Sequence, residues 1–230
     1  MITVGCFIFE DMTALDIVGP YEALTGLPNI QTILVAASAE PVRAEGSMRI
    51  VPDCTFASAP ALDVLIIPGG SGINRIMEDN LWMNFLTGHA AEAQWITSVC
   101  TGALVLGAAG LLRGYRATTH WLSLDLLVKF GAVPCPQRVV VDRNRVTGGG
   151  VTAGIDVGLA LAAMIVGTTT ARERQLLLQY NLQPPFPDNN PDSADANIAQ
   201  AVRVARSGIQ QARLEIIDRI TRRAAGTHQT

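Results

Sequence analysis

Cys100 is the residue of this chain best placed to do chemistry. It follows the apolar run Gln94–Val99 and precedes Thr101-Gly102 and the helical stretch Ala103–Leu112, so it falls where a strand hands over to a helix. A thiol at that junction meets the unpaired backbone N–H groups and positive dipole end of the helix, which predicts a lowered pKa and a better nucleophile. A free thiol of pKa ~8.5 is otherwise only slightly ionised at neutral pH. Cys6 and Cys54 lack this setting and read as packing residues, and Cys135 lies between two prolines in a loop.

Two further motifs have chemical potential. Pro68-Gly69-Gly70 ends a short apolar strand, and glycines there let backbone N–H groups come close to a ligand. The Gly70 turn and the Thr101 N–H are therefore candidate donors to an oxyanion. Asp16 follows the first strand, in Thr13-Ala14-Leu15-Asp16-Ile17-Val18-Gly19-Pro20. By itself it reads as a helix-capping carboxylate as readily as an acid or base.

These three motifs need a scaffold, and the rest of the chain supplies one. Ile2–Phe9, Gln31–Ala37, Asp63–Ile67 and Gln94–Val99 read as buried strands. Pro20 is suited to open a helix running to about Leu24, and a second helix covers Ile73–Ala91. Arg116–Thr119 reads as a strand, Trp121–Phe130 as a helix, Val139–Thr147 as a hairpin and Ala153–Val166 as an apolar helix. Thr170 to Glu173 has capping-box spacing for the next helix. The alternation predicts a doubly wound, mostly parallel α/β sheet with helices on both faces, a flavodoxin-like sandwich. All three motifs then share the carboxyl edge of the sheet, where such folds form sites. Residues 1–182 read as the core of one domain, and residues 183–230 as a proline- and asparagine-rich loop and a C-terminal helical extension.

Composition narrows the function. The 230 residues carry a formal charge of −3, 49% are hydrophobic and 16% charged. That balance gives no general footprint for nucleic acid or an anionic membrane. The N-terminus reads as a strand rather than a signal peptide, and no apolar run is long enough to span a bilayer, so a cytoplasmic protein is expected. Scattered cysteines without a C-x-x-C pair offer no zinc knuckle, and no metal or other cofactor is expected. Gly70-Ser71-Gly72-Ile73-Asn74-Arg75 lacks the third glycine of a dinucleotide fingerprint, and no G-K-[ST] occurs.

Taken in order, Leu15-Asp16-Ile17-Val18-Gly19-Pro20, Ile67-Pro68-Gly69-Gly70, Thr97-Ser98-Val99-Cys100-Thr101-Gly102, Ala117-Thr118-Thr119-His120-Trp121 and Thr147 to Asp156 resemble the class I glutamine-amidotransferase-like superfamily that includes the PfpI-type proteases. Within it they look most like the isonitrile (isocyanide) hydratases, over essentially the whole chain. The resemblance implies that Cys100 is the nucleophile and Asp16 its hydrogen-bonding acid. Thr101 fills the place where protease-like members carry a histidine, which argues against proteolysis. His120 sits at a separate strand-to-helix junction and reads as structural. The implied chemistry is hydration of a small-molecule isocyanide to an N-substituted formamide through a covalent thioimidate on Cys100, in a homodimer.

Two alternatives accompany this reading. A redox-sensing or glyoxal- and aldehyde-handling relative would use an exposed, low-pKa Cys100. The motifs also resemble the ligand-sensing half of AraC-type regulators, which carry two helix-turn-helix motifs where this sequence has a single arginine-bearing helix. Arg203, Arg206, Arg213, Arg219, Arg222 and Arg223 are expected on the solvated face of that helix, with Leu214, Ile217 and Ile220 on its packed side.

Overall fold

The computed structural model describes residues 1–226, with side chains through residue 224. Strand β1 (Ile2–Phe7) leads into helix α1 (Ala14–Leu24) and then β2 (Ile30–Ala36). Strands β3 (Val42–Arg43) and β4 (Arg49–Ile50) pair as a small antiparallel ribbon, and β5 (Cys54–Thr55) rejoins the main sheet. Strand β6 (Val64–Ile67), helices α2 (Ile73–Ile76) and α3 (Asn80–Ala90), β7 (Trp95–Ser98) and α4 (Gly102–Ala108) follow. Next, β8 (Arg116–Ala117) and β9 (Val133–Pro134) pair across a 3₁₀ helix, Trp121–Phe130. The hairpin β10 (Val139–Asp142) and β11 (Arg145–Gly148) precedes α5 (Ala153–Val166), α6 (Thr168–Leu177) and α7 (Ala196–Gly226).

The main sheet runs β10-β11-β7-β6-β1-β2-β5. Its neighbours are parallel throughout, apart from the antiparallel hairpin β10–β11 at one edge. Val64, Leu65, Ile66 and Ile67 of β6 are all fully buried, so both faces of the sheet are covered there, as a continuous apolar strand requires. Helices α1, α5 and α6 pack on one another, while α2, α4, α7 and the 3₁₀ helix make a second group. From β1 the chain moves to β2 on one side, and from β6 to β7 on the other. The direction of winding reverses between β1 and β6, and the crevice above their carboxyl ends is where such sheets bind ligands. An isolated bridge between Met12 and Gly70 ties the two loops that rise there.

Local chemistry moves several boundaries from those expected. Helix α1 starts at Ala14, and Pro20 lies inside it instead of opening it. Close packing on α5 accompanies this: a Cβ at Gly154 would lie 3.0 Å from the Pro20 ring. The helix expected over Ile73–Ala91 is two, because Asp79 caps α3 by accepting from the Leu81 N–H at 2.8 Å. An Asp cap fixes a new helix start and interrupts the one before it. Helix α6 begins at Thr168, directly after Gly167, with no side-chain cap, so the spacing from Thr170 to Glu173 does not act as a capping box. Helix α4 is shorter than expected and ends at Ala108.

Candidate active site

Each strand end contributes one part of the site. Asp16 lies in the first turn of α1 and is fully buried. Its Oδ2 accepts the Gly69 N–H at 2.8 Å, which couples it to the turn after β6. Its Oδ1 is equally buried and makes no hydrogen bond of ordinary geometry among the described residues. The carboxyl also interacts with the Cys100 thiol.

Cys100 follows β7 with a φ of 56°, a left-handed conformation rare for a side chain with a Cβ. Such a backbone costs about 1–3 kcal/mol and persists only when its surroundings over-determine it. Here its N–H donates to the Gly148 carbonyl at 3.1 Å, and its own carbonyl accepts the Thr119 hydroxyl at 2.7 Å. The bend turns the thiol back over the sheet edge, facing Asp16 and Thr101. Thr119 belongs to the Thr118-Thr119-His120-Trp121 motif, yet nothing in its residue type announces this role.

Thr101 carries three contacts. Its Oγ1 accepts the Gly70 N–H at 3.1 Å, while its backbone N–H and hydroxyl both interact with the Cys100 thiol. This corrects the expectation for Gly70. Its N–H is engaged by the Thr101 side chain, so it holds Thr101 in place and is not a ready oxyanion donor. The glycine turn serves the acid and the threonine.

Electrostatics correct a second expectation. Burial pushes the Cys100 thiol up, and the Asp16 carboxylate pushes it further; the Thr101 N–H and Arg213 oppose this without prevailing. Asp16 is pushed up to about 7, chiefly by burial, with the Gly69 N–H and the thiol pulling down and the charge of Glu45 pushing up. A buried pair of acids resists ionising at all, and the end of a seven-residue helix does not offset that. The protons leave such a pair as a unit.

His120 is no base for the thiol. Its Nδ1 accepts the Leu122 N–H at 3.3 Å and caps the 3₁₀ helix. Arg213 was expected among the solvated arginines of α7 but is 3% exposed. Its charge acts on Cys100. Glu45 accepts the Thr13 hydroxyl and the Ser71 N–H and stands at the rim of the same crevice. Among the described residues no cluster of acidic, histidine or cysteine side chains is arranged to hold a metal ion. Two open surface clefts, one lined by Arg172, Leu176 and Tyr180 and the other by Tyr21, Ile33 and Cys54, include neither Cys100 nor Asp16.

Close approach makes Gly69 a sensitive position. A Cβ there would fall 2.5 Å from both the backbone N and Oγ1 of Thr101, and 3.1 Å from Asp16 Oδ2. Gly69→Ala is expected to lower stability by about 1–3 kcal/mol and turnover by roughly 100-fold, because small displacements in a site are costly. Thermal melts and steady-state rates on one preparation check both numbers. A variant with unchanged kinetics would mean that the turn is not holding the reacting groups.

The model of the DJ-1/PfpI family matches residues 3–164. The chain is 45% identical over 216 residues to isonitrile hydratase of Pseudomonas putida, covering 94% of this chain and 95% of that enzyme. It is 30% identical over 167 residues to the HTH-type transcriptional regulator GbdR of Pseudomonas aeruginosa, covering 69% of this chain but only 45% of the regulator. Among solved structures, a THiJ/PfpI family protein from Pseudomonas syringae superimposes with a TM-score of 0.91 at 39% identity, over 94% of this chain and 90% of that one.

Proposed function

We propose that this chain, which belongs to the DJ-1/PfpI family, hydrates an isocyanide to an N-substituted formamide at Cys100. The observation that carries the reading is the pairing of a buried carboxyl with the thiol: Asp16 is fully buried and its carboxyl interacts with Cys100. Likeness to isonitrile hydratase over nearly the whole length supplies the substrate class.

The reaction R–N≡C + H₂O → R–NH–CHO needs one nucleophile and one proton shuttle. With one proton shared by the pair, the reactive arrangement is a thiolate beside a neutral carboxyl. The thiolate forms a C–S bond to the terminal carbon while Asp16 gives that carbon its proton, which leaves a thioimidate, R–N=CH–S, and a carboxylate. Asp16 then takes a proton from water as the hydroxyl adds to carbon, and passes it to nitrogen. The hydroxyl proton of the resulting adduct returns to Asp16 as C=O forms and the C–S bond breaks. Formamide departs and the thiolate–carboxyl pair is restored. Thr101, facing the sulfur with both N–H and hydroxyl, steadies the thiolate.

A peroxide sensor calls for an exposed, readily ionised thiol. Cys100 is 5% exposed and pushed up by burial, which disfavours that alternative. No helix among the described residues is long and apolar enough to cross a membrane. The test is turnover of a simple aromatic isocyanide by purified protein, followed as formamide and set beside glyoxal as a competing substrate. Formamide with no loss of glyoxal is expected. Glyoxal consumption by a protein inert to isocyanides would overturn the assignment.

A further inference from the structure

Helix α7 brings a charge to the site that nothing in the hydratase reading accounts for. Arg213 is 3% exposed, and its hydrogen-bond acceptors are all neutral: Asn74 Oδ1 of α2 at 3.3 Å, Ser123 Oγ of the 3₁₀ helix at 3.1 Å and Gln210 Oε1 at 3.4 Å. Its neighbours on the same helix are conventionally matched, Arg219 with Glu78 and Asp218 with Lys129. Among the described residues Arg213 forms no ion pair.

Burying a guanidinium among neutral groups is expensive, and arginine does not escape by losing its proton. A glutamine could pin α7 to Asn74 or Ser123 with its side-chain N–H groups and without that penalty, so the charge itself needs a reason. Asn74 lies four residues beyond Gly70, whose N–H holds Thr101, and Ser123 four beyond Thr119, whose hydroxyl holds the Cys100 carbonyl, so Arg213 is fixed between the two segments that brace the nucleophile. The negative groups it acts on are Cys100, once ionised, and Glu45.

We infer that Arg213 is a positioning residue that holds a positive charge over the nucleophile, so that the C-terminal helix sets how readily Cys100 becomes a thiolate. The charged and titratable groups bearing on that thiol come from each side of the crevice. Asp16 from α1 opposes ionisation and Arg213 from α7 favours it. Glu45, from the loop between β3 and β4, acts on both Asp16 and Arg213. His120, at the start of the 3₁₀ helix, feels Arg213 and Arg206 and is driven toward its neutral form, first by burial and then by those charges. The positive contribution to Cys100 therefore comes from Arg213. Burial works against its charge, and Cys100 and then Glu45 sustain it.

This inference rests on Cys100 as the nucleophile but not on the isocyanide. The test is the pH profile of Cys100 alkylation by iodoacetamide, read from the mass of the Cys100 peptide in the intact chain. Arg213→Met is expected to move the profile to higher pH by about one unit, a tenfold slower reaction at a fixed pH on its rising limb. Arg213→Lys should restore most of the wild-type profile. Gln210→Glu leaves Arg213 in place and sets a carboxylate against its guanidinium. It should shift the profile in the same direction as Arg213→Met, whereas a merely structural anchor would be tightened and the profile left alone. Arg213→Met or Gln210→Glu with a wild-type profile would overturn the proposal. Should the profile move in a protein that hydrates no isocyanide, the electrostatic role stands and the hydratase reading falls.

Discussion

Cys100→Ser is expected to lower isocyanide turnover by about 10⁴-fold or more, the scale of loss seen when a covalent nucleophile is removed. The substitution changes one atom, and the fold should not notice it. The left-handed backbone at Cys100 is held by the Gly148 carbonyl and the Thr119 hydroxyl, and neither bond involves sulfur. What changes is acidity. A serine hydroxyl ionises far less readily than a thiol, and Asp16, itself shifted only to about 7, is too weak a base to take its proton. Intact mass spectrometry during turnover supplies the second readout. Wild-type protein should show an adduct one isocyanide heavier, and Cys100→Ser none. Turnover of the serine variant within tenfold of wild type would remove covalent catalysis from the mechanism.

The parts of the site that could be read from sequence are those fixed by local geometry. A strand running into Cys100-Thr101-Gly102 fixes a tight junction within a few residues. Gly102 must be bare because a Cβ would collide with the Ile67 carbonyl oxygen. Asp16 follows the same logic, since a residue just beyond β1 in a parallel sheet has to rise at the carboxyl edge.

Readings that failed depended on partners distant in the chain. Gly70 was legible as a bare turn, but its N–H is taken by a threonine 31 residues on. The thiol was legible as a helix-end cysteine, but its acidity is decided by how deeply the sheet, α1 and α7 enclose it. Strands β3, β4, β5 and β9 escaped notice because two-residue strands carry no period to detect.

Arg213 is the instructive miss. Counting arginines along α7 suggests a solvated face, and most of the others lie there. Its spacing held the clue: Arg213 precedes Ile216, Ile217 and Ile220 by three, four and seven residues, which places it on the apolar stripe. A cation in the buried register of an amphipathic helix is either matched by a carboxylate or kept for a purpose. The sequence does not say which, because Asn74 and Ser123 reach it only through the fold.

Asp16→Asn is the variant in which stability and activity should part most clearly. Asparagine keeps an oxygen able to accept the Gly69 N–H, and it carries no charge to bury. With the carboxyl pushed from its ordinary value to about 7, the folded protein favours the protonated acid. That preference is fully satisfied below the unfolded pKa near 4. It erodes as pH rises toward 7, and above 7 an ionised carboxylate is held in the core at a cost of the order of a few kcal/mol. The variant should therefore melt close to wild type near pH 4 and distinctly higher at pH 8, the gap opening between those values.

Turnover should move the other way, falling by about 10²–10⁴-fold because the proton shuttle is gone. Wild-type kcat/KM should rise with pH through about 7, as the Cys100–Asp16 pair loses its first proton: the pair then rests as carboxylate beside thiol and reacts through the thiolate–carboxyl form reached when the remaining proton passes from sulfur to Asp16. Asp16→Asn should lose that inflection. An enzyme that kept both its rate and its pH profile without this carboxyl would need its proton from elsewhere, and among the described residues the crevice offers no neutral acid in its place: Glu45 lies at the rim, and the imidazole of His120 already accepts the Leu122 N–H. Stabilisation without activity would identify Asp16 as a group retained against the interests of the fold, which is the physical signature of a catalytic acid.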